Sequence, residues 1–297
     1  MTWITEPFAA DFMQRALLGG VLVATICAVV GTWVVIRGMA FLGEAMAHGM
    51  LPGVAAASLI GAPVILGAAV SAVVMSLGVS LISRRGRLSQ DTSIGLLFVG
   101  MLSLGVIIVS HSRSFAVDLT AILFGDVLAI SEPDLGMLAL ALVVTVLVTA
   151  GFHRSFVALA FDPRIATTMT LRPRLAHVAM IGLVTLAVVA SYGAVGSLLV
   201  VGLLLAPAVA AGHWAHRIPA IMLLATAFGA ATVLLGLLLS WYAGTAAGAS
   251  IALTAICLAV ASAAVSTLRR RRGGAESFTA PERLPSIPQQ KATSASN

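Results

Sequence analysis

A carboxylate and an imidazole stand four residues apart in an apolar stretch near the beginning of the chain. Glu44 and His48 lie within residues 37–56, which read RGMAFLGEAMAHGMLPGVAA. On a helix, side chains at this spacing project from one face, one turn apart. A carboxylate at bilayer depth costs about 2.5–3.5 kcal/mol on insertion scales, so it normally faces a partner, a cavity or an ion. A carboxylate oxygen and an imidazole nitrogen together suit divalent zinc, manganese or iron.

The spacing alone leaves two interpretations of this pair open. Glu44 and His48 could form a hydrogen bond that only tightens helix packing, or they could line a pathway for a metal ion. Pro52 and Gly53 follow shortly after and predict a kink or helix end, which would free backbone groups to line a cavity. The chain carries no Walker A, His-Glu-x-x-His or Cys-x-x-Cys motif. We therefore predict no catalytic residue and no permanently bound cofactor.

Composition places the elements that hold this pair in a membrane. The 297 residues are 60% hydrophobic and only 9% charged, whereas soluble domains carry about 25% charged residues. The net charge of +6 comes mainly from arginines in short loops and in the tail, which is the positive-inside pattern. These features predict an all-α, polytopic membrane protein that contacts lipid and does not bind nucleic acid.

Apolar runs of about 20 residues predict about eight or nine transmembrane helices. Residues 1–15 form an N-terminal segment, residues 16–268 the transmembrane domain and residues 269–297 a basic, disordered cytoplasmic tail. Residues 119–130 are short for a span and fit a re-entrant or interfacial helix. A span is expected over residues 135–152, and a turn near Tyr192 and Gly193 is expected to separate two later spans.

Residues 155–174 form a polar connector that the positive-inside rule places in the cytoplasm, because Arg164, Arg172 and Arg174 lie within it. Asp162 is a good N-cap, and Pro163 suits the first position of a helix. We expect one or two turns of surface helix over residues 165–171. Two interpretations remain open: the segment is only a loop with a turn, or it is a short helix presented to a cytoplasmic partner.

Several segments resemble the ABC-3 family, the membrane permeases of bacterial ATP-driven importers of zinc, manganese and iron. The resemblance covers residues 37–256 and includes the segments RGMAFLGEAMAHGMLPGVA (37–55), QDTSIGLLF (90–98), DLTAILFGDVLAI (118–130), ALAFDPRIA (158–166) and VGSLLVVGLLLAPAVAA (195–211).

This resemblance implies that Glu44 and His48 form the gate and the transient metal site. It implies a permease homodimer with two cytoplasmic ATPase subunits and an extracytoplasmic metal-binding protein, in the bacterial inner membrane with the C-terminus in the cytoplasm. The chain itself would not be an enzyme. Segments 37–53 and 89–101 look most like the zinc-importing branch, so we expect zinc, with manganese second. The residues implied to couple to the ATPase are Phe161, Asp162, Pro163, Arg164 and Ala166.

Two other classes compete with an ATP-driven importer. An ion-coupled secondary carrier would show additional charges within the membrane and an inverted repeat, neither of which is clear in this sequence. An intramembrane metalloenzyme would need more ligands and a general base at depth.

Overall fold

The structure of the chain is a computed structural model that describes residues 6–84, 89–110, 125–161 and 173–277. These residues form helices and connecting turns without a β-strand, so the all-α prediction is confirmed. Ten α-helices occur in the described ranges: α1 (Asp11–Ile36), α2 (Ala40–Gly49), α3 (Leu51–Ile60), α4 (Val64–Arg84), α5 (Gln90–Ser110), α6 (Glu132–Phe161), α7 (Pro173–Val195), α8 (Ser197–Gly212), α9 (Ile218–Ala243) and α10 (Ala247–Ser277).

Seven of the described helices are long and apolar enough to cross a membrane, namely α1, α4, α5, α6, α7, α9 and α10. Helix α8 is apolar but has only 16 residues. The predicted second span is divided at Met50 into α2 and α3, each ten residues long. The expected multi-pass membrane architecture is therefore confirmed, with one short helix and one broken pair in place of two full-length spans.

Helix α6 is longer than the sequence predicted. A span was expected to end at Phe152, but α6 continues to Phe161. Phe156 is fully buried, and its ring centroid lies 5.3 Å from that of Trp33 on α1. Residues 155–161 are mostly apolar and contain no helix breaker, which favours continuation of the helix beyond Phe152.

The boundaries of the transmembrane domain also differ at both ends. Helix α1 begins at Asp11 instead of Ala16, and α10 continues to Ser277 beyond the expected boundary at residue 268. Asp11 favours the N-terminus of a helix because a carboxylate there complements the helix dipole. Arginine is a good helix former, so the run that begins at Arg269 prolongs α10 instead of ending it.

The break between α7 and α8 lies at Gly196, slightly beyond the expected turn near Tyr192 and Gly193. Gly196 has a φ of +71°, a left-handed value that a side chain would strain, so the chain turns here. Of the predicted segment 119–130, only residues 125–130 are described, and they contain a 3-10 turn over Val127–Ala129. The predicted surface helix at 165–171 and the tail from residue 278 lie outside the described residues.

Helix α1 lies at the centre of the bundle, in contact with α6, α7, α8 and α9. Small residues on its surface permit this close packing. A Cβ atom added at Gly20 would lie 2.6 Å from Val233, and one added at Gly31 would collide with the backbone carbonyl of Leu204 on α8. The α1–α8 contact therefore joins backbone to backbone, as small residues allow between membrane helices.

The Gly31→Ala variant tests this close contact. We expect it to cost about 1–3 kcal/mol of stability, because the new methyl group meets a backbone carbonyl that cannot rotate away. Gly100→Ala on α5 is the matched control, since no atom lies within 4 Å of the added Cβ. Thermal unfolding of the two purified variants in the same detergent measures the effect. Equal midpoints for the two variants would contradict the proposed contact.

Candidate metal centre

Helix α2 brings Glu44 and His48 together as the sequence predicted. The Nε2 atom of His48 lies 3.0 Å from the Oε1 atom of Glu44, within hydrogen-bond distance. The side chain of His48 is 18% exposed, and that of Glu44 is 32% exposed. The pair is therefore neither sealed in the core nor fully open, so an ion could reach it from one side.

The hydrogen bond and a metal ion would use the same atoms. When Nε2 of His48 carries the proton, it donates to the Glu44 carboxylate. A metal ion takes the neutral imidazole lone pair, so binding at Nε2 would require that this proton leave or move to the other ring nitrogen. The Glu44–His48 hydrogen bond and coordination of a cation by Nε2 would therefore exclude each other.

An aromatic side chain from α5 holds the imidazole in place. The ring of Phe98 meets that of His48 edge to face, with centroids 5.7 Å apart and an interplanar angle of 71°. Phe98 also meets Phe41 of α2, at 5.6 Å. Such pairs contribute about 0.5–1.5 kcal/mol beyond their buried area, so Phe98 restricts the orientation of His48.

The helix that carries the pair ends one residue after His48. Pro52 lacks a backbone N–H and cannot donate to the carbonyl of His48, four residues earlier. The N–H of Met50 donates to that carbonyl instead. The hydroxyl of Ser71 on α4 donates to the carbonyl of Gly49 at 2.8 Å. Broken helices persist at membrane depth when such groups satisfy the freed backbone, and here a neighbouring helix supplies one of them.

Glycines fix the distance between α2 and its neighbours. A Cβ atom at Gly43 would lie 2.6 Å from Cδ2 of Leu204 on α8, and one at Gly49 would lie 3.0 Å from Cγ of Met75 on α4. Met46 points into the core with no exposed surface, and its sulfur lies 3.9 Å from the Ser76 hydroxyl. Met46 therefore packs in the core and does not join the Glu44–His48 face.

The described residues hold no cluster of three or more His, Cys, Asp or Glu side chains that could bind a metal ion. Glu44 and His48 thus supply two donors, whereas zinc takes about four ligands. A metal ion bound at this pair would therefore need further ligands from water, backbone or another molecule.

The predicted coupling residues fall at the edge of the described structure. Phe161 is the last residue of α6, while Asp162, Pro163, Arg164 and Ala166 lie outside the described ranges. Phe98 and Ser71 are the two residues that sequence reasoning missed. Phe98 lies in one of the segments that resemble the family, but nothing in the sequence indicates which of its side chains meets His48.

The model of the ABC 3 transport family matches residues 9–266, almost the entire helical bundle. The chain belongs to this family. It is thus a membrane subunit of a transport system and not an enzyme, as predicted.

Curated relatives extend over most of the chain. The manganese transport system membrane protein MntC of Halalkalibacterium halodurans is 36% identical over 249 residues, which is 84% of this chain and 85% of MntC. The chelated iron transport system membrane protein YfeD of Yersinia pestis is 31% identical over 245 residues, 82% of each chain. The solved structure of PsaBC from Streptococcus pneumoniae in complex with Fab matches with a TM-score of 0.77 and 30% identity, covering 88% of this chain and 94% of that one.

Replacement of Phe98 tests whether it restrains His48. In Phe98→Ala, we expect diethyl pyrocarbonate to modify His48 about two- to twelvefold faster, because an aromatic contact of about 0.5–1.5 kcal/mol is lost. Peptide mass spectrometry of the purified protein measures the rate at this residue. Leu96→Ala, on the exposed side of the same helix, is the control and should leave the rate unchanged. An unchanged rate in Phe98→Ala would contradict the proposed restraint.

Proposed function

We propose that this chain is the membrane-spanning permease of an ATP-binding cassette importer that carries divalent manganese or iron into the cytoplasm. The observation that carries the proposal is the half-exposed Glu44–His48 pair on a broken span of an ABC-3 family member. The cation would bind there briefly, because tight coordination would slow its release.

Manganese and iron replace zinc as the preferred cargo. The sequence segments favoured zinc, but the relatives described above are named for manganese and chelated iron. The donors are compatible with this choice without deciding it, since carboxylate oxygens suit manganese and imidazole nitrogens suit both iron and zinc. A single Glu–His pair does not exclude zinc by chemistry, so zinc is the comparison metal in the experiment below.

A second copy of the chain would complete the metal site. Two symmetry-related pairs bring four protein donors to one axis, whereas the described part of one chain clusters only two. The half-exposure of Glu44 and His48 leaves one side of the pair open for such a partner. We therefore propose a homodimer whose pathway runs between the two α2 helices.

The segment after α6 would couple this pathway to ATP hydrolysis. Helix α6 ends at Phe161, and the residues 162–166 continue directly from it, so force applied there would reach α6. By the positive-inside rule, this segment and the C-terminus face the cytoplasm, where ATPase subunits would bind. An extracytoplasmic metal-binding protein would deliver the ion to the opposite side.

Uptake of radiolabelled manganese, iron and zinc tests the proposed site. We expect Glu44→Ala and His48→Ala to lower manganese uptake at least about tenfold, since loss of even an outer-shell partner costs 10- to 100-fold in metal affinity or activity. Protein levels in the membrane are matched before the comparison.

Glu44→Asp is the paired control, because it keeps the carboxylate and should retain part of the uptake. Full uptake in both alanine variants would remove the assigned site. A wild-type protein that carries zinc in preference to manganese and iron would leave the site intact but overturn the choice of cargo.

A separate experiment tests the coupling segment. Asp162→Ala and Arg164→Ala should lower the amount of ATPase that copurifies with the permease, because these residues would sit in the docking surface. The permease should keep its own yield and unfolding temperature. Arg283→Gln, which removes a charge from the tail, serves as the control. Undiminished copurification of the ATPase with both coupling variants would contradict the docking role.

A further inference from the structure

Trp214, in the turn between α8 and α9, contacts two side chains of α10. The indole N–H of Trp214 donates to the Ser262 hydroxyl at 2.6 Å, and that hydroxyl donates to the carbonyl of Ala210 at 3.0 Å. The guanidinium of Arg269 lies over the Trp214 ring, 5.0 Å from its centre. We call these residues, with Arg217, which follows Trp214 by three residues and precedes α9, the Trp214 corner.

In the Trp214 corner, Trp214 is hydrogen-bonded to α10 and is also exposed at the protein surface. The N–H of Trp214 donates to Ser262 on α10, so the indole does not need water, while the residue keeps 39% of its surface exposed. Next to it on α10, Val265 and Leu268 are exposed apolar side chains. An aromatic ring beside aliphatic residues and a cation is typical of the boundary between acyl chains and headgroups.

The corner has a strong positive charge and lacks acidic neighbours in sequence. Arg217 and Arg269 are exposed, and Arg270, Arg271 and Arg272 follow on the same helix. Residues 196–275 contain five arginines and no Asp or Glu. In the described part of the chain, neither Arg217 nor Arg269 forms an ion pair with a carboxylate, so both cations are available to an anion from outside.

We propose that the Trp214 corner binds the headgroup of an anionic phospholipid. The phosphate lies between Arg217 and Arg269, and the acyl chains run along Val265 and Leu268. The Trp214 ring stabilises Arg269 by a cation–π contact, which is stronger where water is partly excluded. Basic groups at the cytoplasmic membrane surface attract anionic lipid with about 1 kcal/mol each.

A lipid fits the Trp214 corner better than the acidic surface of an ATPase subunit would. The cations adjoin exposed aliphatic side chains of α10, a helix long and apolar enough to cross the membrane. A protein partner in water would leave Val265 and Leu268 uncovered. The proposal does not depend on which metal is carried, nor on the roles of Glu44 and His48.

Lipid binding to the full-length, detergent-solubilised permease tests the proposal. Native mass spectrometry compares its affinity for phosphatidylglycerol with that for phosphatidylcholine. We expect the wild type to prefer phosphatidylglycerol and the double variant Arg217→Gln/Arg269→Gln to lose about 30-fold of that affinity. Affinity for phosphatidylcholine should not change. Glycerol phosphate, which lacks acyl chains, should not compete.

The tail offers a matched control, because Arg283→Gln/Lys291→Gln also removes two positive charges. It should keep the preference for phosphatidylglycerol, and so should Arg217→Lys/Arg269→Lys. The same loss in the tail control as in the corner variant, or no loss in a folded corner variant, would overturn the proposal. Loss of ATPase copurification with unchanged lipid binding would instead assign the corner to the ATPase.

A salt series on the wild type remains decisive if the glutamine variant does not fold. Surface charge interactions are screened within about 10 Å at 0.1 M salt, so phosphatidylglycerol binding should weaken steadily as salt is added. An affinity that is independent of salt would show that the arginines do not hold the headgroup.

Discussion

A carboxylate and an imidazole inside an apolar bundle constrain every element around them. Neither side chain can lie against lipid without a cost of several kcal/mol, so α2 turns them toward each other at 3.0 Å and toward an open side. The opposite face of α2 is then available for Met46, which is fully buried. The orientation of α2 thus places the polar pair on one side of the helix and Met46 on the side that packs against Ser76 of α4.

The break between α2 and α3 at Met50 changes the backbone hydrogen bonds next to the polar pair. A continuous helix of 20 residues would keep its interior backbone groups bonded, but Pro52 removes one donor and divides the span. Ser71 compensates from α4 by donating to Gly49. The carbonyl of His48 therefore accepts from the N–H of Met50, and that of Gly49 accepts from the Ser71 side chain. Such hydrogen bonds are easier to rearrange than the regular ones of a continuous helix.

Much of this arrangement was predictable from sequence because its signals are local. Glu44 and His48 stand out as polar residues one turn apart in an apolar run, and Pro52 marks the break. The contacts that set helix ends and side-chain orientation are not local. Phe98 meets His48 across a separation of 50 residues, and Phe156 prolongs α6 by packing on Trp33. The periodicity of apolar residues does not specify which side chains of two helices meet, so these contacts could be identified only in the structure.

The glycine contacts distinguish helix pairs that meet through backbone atoms from pairs that meet through a side chain. Gly31 on α1 meets the backbone of Leu204, and Gly53 on α3 meets the backbone of Gly67 on α4. Gly43 on α2 meets only the side-chain end of Leu204. A side-chain tip can change rotamer, whereas a backbone contact must separate as a whole. Helix α2 therefore lies between two close-packed pairs, α1–α8 and α3–α4, and is joined to α8 by a softer contact. A rotation of α2 about Met50 would leave both backbone contacts intact, but it would have to release the ring contacts of Phe98 with Phe41 and His48.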